Sequence, residues 1–372
     1  MEKKIRRYDL DWLRVMVFGL LIFYHVGMFF VPWGWHIKNN ELYDWLRYPM
    51  LFVNQWRLPI LFIISGMGTS FALAYRSGKT FRLERLKRLG IPLVFGILLI
   101  IPPQVYIERL VNGDFIGSYF QFLTSDAFIG IYPSGNISWH HLWFLPYLLV
   151  YSLILSPIFI YLRNHPDALF LQWVKKLMQP KFGLYFFVIP IYFVEAFMEP
   201  YFPVTHALID DWFAFTMYIC LFFFGYILIS VGDIFWEKVD KLKAWALVIG
   251  VIAFSTRLIF WEMEDSILLH FVDALFAVVN GWSWIIVLFG YAAKYLNRKS
   301  NLLTYCNTAV YPFYILHQTV TIILGYFLMN KDWNFGIKFL LLAVGTFFVS
   351  WLLYEGIKRV GVLRPLFGLK AS

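Results

Sequence analysis

Windows of about 20 mostly apolar residues, the length needed to cross a hydrocarbon core about 30 Å thick, recur along the whole of this chain. About ten can be marked, at residues 13–31, 49–74, 91–107, 141–162, 182–198, 212–230, 242–261, 271–295, 305–329 and 336–357. The expected fold is therefore all-α: a polytopic integral membrane bundle of about ten transmembrane helices. It forms one domain over residues 1–372, with no separate soluble domain. Only 15% of the residues are charged, where a soluble protein carries roughly a quarter, so a water-filled surface has little to be made from. The net charge of +9 would suggest nucleic acid if it covered one face of a soluble domain. Here the basic residues sit in short segments between apolar runs, where they orient helices instead.

Those charges alternate. Lys3, Lys4, Arg6 and Arg7 precede the first window, and Arg76, Lys79, Arg82, Arg85, Lys87 and Arg88 precede the third. Lys175, Lys176, Lys238, Lys241, Arg298, Lys299, Lys358 and Arg359 fall in later segments of the same parity. The intervening segments carry Asp114, Asp126, Glu199, Asp210, Asp211, Glu262, Glu264 and Asp265. The positive-inside rule places both termini in the cytoplasm and requires an even number of spans. The first window runs too long for a signal peptide and lacks a small-x-small cleavage site, so it reads as a retained span. Cys220 and Cys306 lie in or beside spans, and no disulfide is expected between them.

An ionisable group in hydrocarbon is costly and calls for an explanation. His25, Glu195, Arg257 and His317 fall in the middle or outer half of their windows. Arg57, His141 and Asp273 come early in windows entered from outside, which is the same half of the membrane. Snorkelling at the interface would account for Asp273 and Arg257, and a buried ion pair for Arg57 with Glu195. Arg14 and His25 are eleven residues apart, so they share one helix face about 16 Å apart along the axis. Imidazole suits general-base work near neutral pH. Arg82, Arg85 and Arg88 recur every three residues, and guanidinium forks pair with phosphates as well as with lipid headgroups. The run Trp139-His-His-Leu-Trp-Phe-Leu-Pro sets His141 and Trp143 at the rim of the fourth window, where an aromatic belt explains the tryptophans but not the adjacent histidines. Tyr311-Pro-Phe-Tyr-Ile-Leu-His-Gln sets His317 and Gln318 near the midplane of the ninth. Ser65-Gly-Met-Gly in the second window reads as helix packing rather than a phosphate loop.

Together these segments resemble the acyltransferase-3 family of membrane O-acyltransferases. Arg14 and His25 match its Arg-x10-His motif, and Arg82 with Arg85 its Arg-x-x-Arg element. The Leu142-Trp-Phe-Leu and Tyr311-to-His317 runs and Gln55-Trp-Arg-Leu-Pro look most like the branch that contains the periplasmic-glucan succinyltransferase. The resemblance implies a bacterial cytoplasmic-membrane enzyme, with cytoplasmic acyl-CoA as donor substrate and an extracytoplasmic carbohydrate hydroxyl as acceptor. It implies no permanently bound cofactor and no metal. Membrane lipids are the other partner, and a homo-oligomer is left open. Arg82, Arg85 and Arg88 would hold the donor phosphates, with Arg14 lining the donor's path. His25 would act as general base or, alternatively, carry the acyl group. His141, His317, Arg57, Arg257 and Trp143 are candidates to orient the acceptor or stabilise an oxyanion, and Glu195 or Asp273 to set a histidine tautomer. A transporter or flippase would also bury such groups, but no internal repeat is evident. The topology has a direct check. Single cysteines at positions 126 and 264, in a background without Cys220 and Cys306, should react with an impermeant maleimide on intact cells. Cysteines at 87 and 175 should not, and the reverse pattern would invert the orientation.

Overall fold

The structure, a computed structural model, describes residues 6–370, so Lys3 and Lys4 lie outside the described residues. Its elements are helical: α1 Tyr8–Met28, α2 Asp44–Leu73, α3 Gly78–Asn112, α4 Tyr119–Ser125, α5 His140–Asn164 and α6 Leu169–Met178. They continue as α7 Gly183–Met198, α8 Trp212–Ser230, α9 Ile234–Phe260, α10 Ile267–Tyr295, α11 Asn301–Leu328, α12 Phe335–Ile357 and α13 Leu363–Leu366. The chain is thus a polytopic helical membrane bundle. Among the described residues, eight helices are long and apolar enough to cross a membrane: α1, α2, α3, α5, α8, α9, α10 and α12.

Two of the ten expected spans fall outside those eight. The fifth begins as a tight 3₁₀ turn, Gly183–Phe187, and has only 11 α-helical residues, Val188–Met198. At 1.5 Å per residue that α-helical part covers about 17 Å, well short of a hydrocarbon core. The ninth, α11, is 28 residues long, but His317, Gln318, Thr319 and Thr321 interrupt its apolar run. The third helix is longer than its apolar window. Helix α3 starts at Gly78, and π-helical turns at Leu86–Gly90 and Gly96–Ile100 interrupt it.

The chain divides into two compact units, and it passes between them five times. The first comprises 6–14, Phe52–Glu84 and Tyr147–Leu303; the second comprises Val15–Leu51, Arg85–Pro146 and 304–370.

In the first unit α2 and α8 pack backbone to backbone. A Cβ on Gly66 would lie 2.0 Å from the Phe222 carbonyl oxygen, and one on Gly225 would lie 2.0 Å from that of Ile63. Small residues permit this approach, which is how helices associate where lipid supplies no hydrophobic contrast. Tyr226 of α8 stacks on Phe159 of α5 at 3.9 Å and donates to its carbonyl at 2.6 Å. Arg163 donates to the carbonyls of Leu73 (3.0 Å) and Arg76 (2.9 Å), satisfying acceptors left at the end of α2. Arg257 of α9 forks onto Asp273 of α10 at 2.7 and 2.8 Å.

In the second unit, the segment joining α1 to α2 folds over a core that includes Val26, Phe29, Phe30, Ile37, Met50, Ile107 and Leu342. Two lysines fix it. Lys38 donates to the carbonyls of Met28, Val31 and Trp33. Lys338, buried in the first turn of α12, donates to Asn39 (2.7 Å) and Asn40 (2.8 Å). Gly66→Ala and Gly225→Ala should each lower the melting temperature, since the backbone across the interface cannot yield. The expected cost is about 1–3 kcal/mol each, read by thermal unfolding in detergent. Gly68→Ala, with open space around its Cβ, should change little.

Candidate active site

The site begins with a fault in α3. Pro102 and Pro103 follow the second π turn, and the Gln104 amide bonds the Ile101 carbonyl at 2.8 Å. Proline both removes a donor and clashes with the preceding turn, so the regular ladder stops here. The Ile100 carbonyl accepts instead from the Thr319 hydroxyl of α11, at 2.8 Å. A carbonyl can only accept, so Thr319 must donate there and accept elsewhere.

That single fact sets the direction of a hydrogen-bond chain. Thr319 Oγ1 accepts from Gln104 Nε2 at 2.7 Å, and Gln104 Oε1 accepts from Gln318 Nε2 at 3.0 Å. Gln318 also donates to His36 Nε2 at 3.1 Å, which fixes that nitrogen as the unprotonated one. His36 then donates from Nδ1 to Glu108. In the other direction, the second Gln104 N–H points at His141 Nδ1 at 3.4 Å, and His141 Nε2 donates to the Ile315 carbonyl at 3.1 Å. Two independent carbonyls, Ile100 and Ile315, demand the same polarity, so amide orientations and tautomers follow from the network.

The same reasoning reaches His25. His317 Nδ1 faces the carbonyls of Phe313 (3.1 Å) and Tyr314 (2.8 Å), so it carries the proton. The Nε2 of a neutral His317 is then an acceptor, 2.8 Å from His25 Nδ1. His25 must therefore hold its proton on Nδ1, which leaves Nε2 as its basic nitrogen. The two rings lie parallel, 3° apart in plane with centroids 5.0 Å apart. His141 packs edge-on to His317 at 5.2 Å.

The structure thus brings His25, His141 and His317 together in the second unit. Both ring nitrogens of His141 face protein partners, and so do those of His317. Trp143 is buried in the turn His140–Trp143 that opens α5. Arg14 lies on the same continuous helix as His25 and pairs with Asp11. Arg82 and Arg88 are exposed, and Arg82 approaches Ser156 Oγ at 3.4 Å. Arg85 sits where α3 passes into its first π turn, and the Tyr311 hydroxyl donates to the Arg88 carbonyl at 3.0 Å.

Arg57, Glu195, Arg257 and Asp273 belong to the first unit. Arg57 is buried and donates to Asn54 at 3.0 Å. Nearby His206 is pushed down to about 4, chiefly by burial, with Asp211 opposing and Arg57 assisting. Asp273 is taken up by the Arg257 fork, which also reaches Gln55 at 3.0 Å. Glu108 is the carboxylate hydrogen-bonded to His36, and neither residue, nor Gln104, was singled out by the sequence, whereas His140 was marked there only as one of two adjacent histidines. The signal for Glu108 was available: Gln104 and Glu108 are four apart on one helix face, at the end of an apolar window.

The acyltransferase-domain family of type 3 matches residues 7–355. The chain belongs to that family. It is an acyltransferase embedded in the membrane. It is 24% identical to glucans biosynthesis protein C of Escherichia coli strain SMS-3-5 over 377 residues, covering 98% of this chain and 95% of that protein. It is 23% identical, over the same shares of both chains, to the proteins of that name from Shigella dysenteriae serotype 1 and E. coli K12. No solved structure shows a significant match.

If His317 sets the tautomer of His25, His317→Phe keeps a stacked ring but removes the acceptor. Acyl transfer should then fall by about 10²–10⁴ while the melting temperature holds. A rate near wild type would make the His25–His317 contact mere packing.

Proposed function

We propose that this acyltransferase moves an acetyl- or succinyl-class acyl group from cytoplasmic acyl-CoA to a hydroxyl of an extracytoplasmic glycan, with His25 as general base. The observation that carries the chemistry is the His25–His317 pair, since its hydrogen-bond polarity leaves the basic nitrogen at His25 Nε2. The reaction is balanced without a cofactor. His25 Nε2 takes the acceptor's hydroxyl proton as its oxygen attacks the thioester carbonyl. The C–S bond then breaks, and the leaving thiolate of coenzyme A receives a proton. Imidazole can take the proton in the first step and return it in the second.

His317 acts through His25 as a positioning residue, and His141 anchors the amide chain. The exposed guanidiniums of Arg82 and Arg88, with Arg85 beside them, offer bidentate partners to the donor's phosphates. The glycan acceptor is supported by the relatives' name, glucans biosynthesis protein C. The alternation of loop charge supports cytoplasmic termini in a bacterial inner membrane.

The test is single-turnover transfer from labelled acyl-CoA to a gluco-oligosaccharide by purified protein. His25→Ala and His25→Gln should both lose about 10²–10⁴ in rate with melting temperature and coenzyme A affinity retained. Glutamine keeps a hydrogen bond but cannot take a proton at neutral pH. Near-wild-type turnover in either variant would remove His25 from the chemistry.

A further inference from the structure

The mechanism above uses one histidine pair, but the second unit contains another. His36 and His140 stack with centroids 4.4 Å apart, and His140 Nδ1 lies 3.0 Å from His36 Nε2. Since His36 Nε2 is unprotonated, the His140 proton faces it from Nδ1, and that one lone pair is shared between the His140 and Gln318 donors. The basic nitrogen of His140 is then Nε2, which is buried and has no hydrogen-bond partner among the described residues. A buried polar atom left unsatisfied is rare and asks for a reason.

Three further features show that the ring is deliberately held. Glu108 accepts from His36 on one oxygen and from the Tyr132 hydroxyl, at 3.0 Å, on the other. Burial and that carboxylate push the Tyr132 phenol up to about 12, so it stays a donor. Arg109, next to Glu108, clamps the loop behind Tyr132 by donating to the carbonyls of Pro133 (2.6 Å) and Gly135 (2.9 Å). His140 itself has φ +39°, a left-handed conformation that side-chain-bearing residues rarely adopt. Strain of this kind gathers at binding and catalytic sites. The order carboxylate, imidazole, imidazole has the logic of an oriented acid–base group.

Location gives the ligand. His36 lies after one membrane crossing, and Tyr132 and His140 after three, so all lie toward the same face, opposite the N-terminus. By the charge pattern that face is the outer one. Trp35 adjoins His36 with ring centroids 5.7 Å apart, and Tyr132 flanks His140 at 4.8 Å. Aromatic faces beside a hydrogen-bond acceptor suit a carbohydrate's C–H faces and hydroxyls. These groups do not form a metal site, because His36 spends one nitrogen on Glu108 and points the other at His140.

We propose that His140 Nε2 accepts a hydrogen bond from a hydroxyl of the carbohydrate acceptor. His36 and Glu108 act as positioning residues that fix its tautomer. The inference rests on the proposed reaction for its ligand class, and the test separates the two. The full chain in detergent is titrated with a soluble gluco-oligosaccharide by calorimetry, without donor. Transfer from labelled acyl-CoA is then measured against oligosaccharide concentration. His140→Phe, which keeps the stacking, and His140→Asn, which keeps a donor in place of Nδ1, should each raise the acceptor Kd and KM about tenfold. Coenzyme A affinity should not change. Glu108→Gln should weaken acceptor binding in the same direction. Unchanged acceptor Kd and KM in a folded His140 variant would overturn the inference and leave the reaction standing. Oligosaccharide binding that depends on His140, in wild-type protein that transfers no acyl group, would do the opposite. Failure of both His140 variants to fold would assign the residue to the framework and overturn the proposal.

Discussion

The hydrogen bond from the Thr319 hydroxyl to the Ile100 carbonyl is the contact on which the rest of the site depends. It exists because two prolines spoil the ladder of α3 and leave a backbone acceptor inside the bundle. Once Thr319 spends its proton there, both Gln104 and Gln318 have only one workable orientation. Every imidazole joined to them inherits a tautomer. In lipid, where water cannot make up a mismatch, a reversed amide would leave several buried groups unsatisfied at once, and each would be costly. The functional geometry is thus stored in the main chain, and the side chains read it out.

A different set of contacts holds the first unit. Its helices meet through glycines at α2 and α8, through the Tyr226–Phe159 stack, and through the Arg257–Asp273 fork. The first two are closed on themselves, a bare backbone face and a ring pair, while the fork runs on through Gln55 to Asn280 and Trp284. An ion pair in such a place is kept only if both members are fully engaged, and the bidentate geometry with Gln55 as a third partner meets that condition. Arg257 and Asp273 were conspicuous in the sequence because any charge in an apolar window is, and in the structure each engages the other. Buried structural charge and buried catalytic charge have the same sequence signature.

Much of the architecture was legible in hydropathy. Eight of the ten windows correspond to helices long and apolar enough to cross a membrane. The fifth is a shorter apolar helix because its first turn is 3₁₀ and only 11 residues are α-helical. The ninth falls short in apolar character because His317, Gln318, Thr319 and Thr321 interrupt its apolar run. At the site, His25, His141 and His317 stood out because histidine in hydrocarbon is conspicuous. Gln104 drew no attention because an uncharged amide in a span demands no ionic partner, and only its spacing to Glu108 marked it. Glu108 sat one residue past an expected boundary, and His36 looked like a loop residue. The pairing His25–His317 joins residues 292 positions apart, and no periodicity encodes a contact at that range.

The amides in the chain have a consequence beyond orientation. A primary amide passes on direction but not protons, since it neither gains nor releases one at neutral pH. Gln104 and Gln318 therefore work as insulators between the His141 side of the network and the His36 side. A continuous file of imidazoles and carboxylates would pass protons from one end to the other. By interposing glutamines, the protein keeps several titratable groups in close order without joining them into one relay.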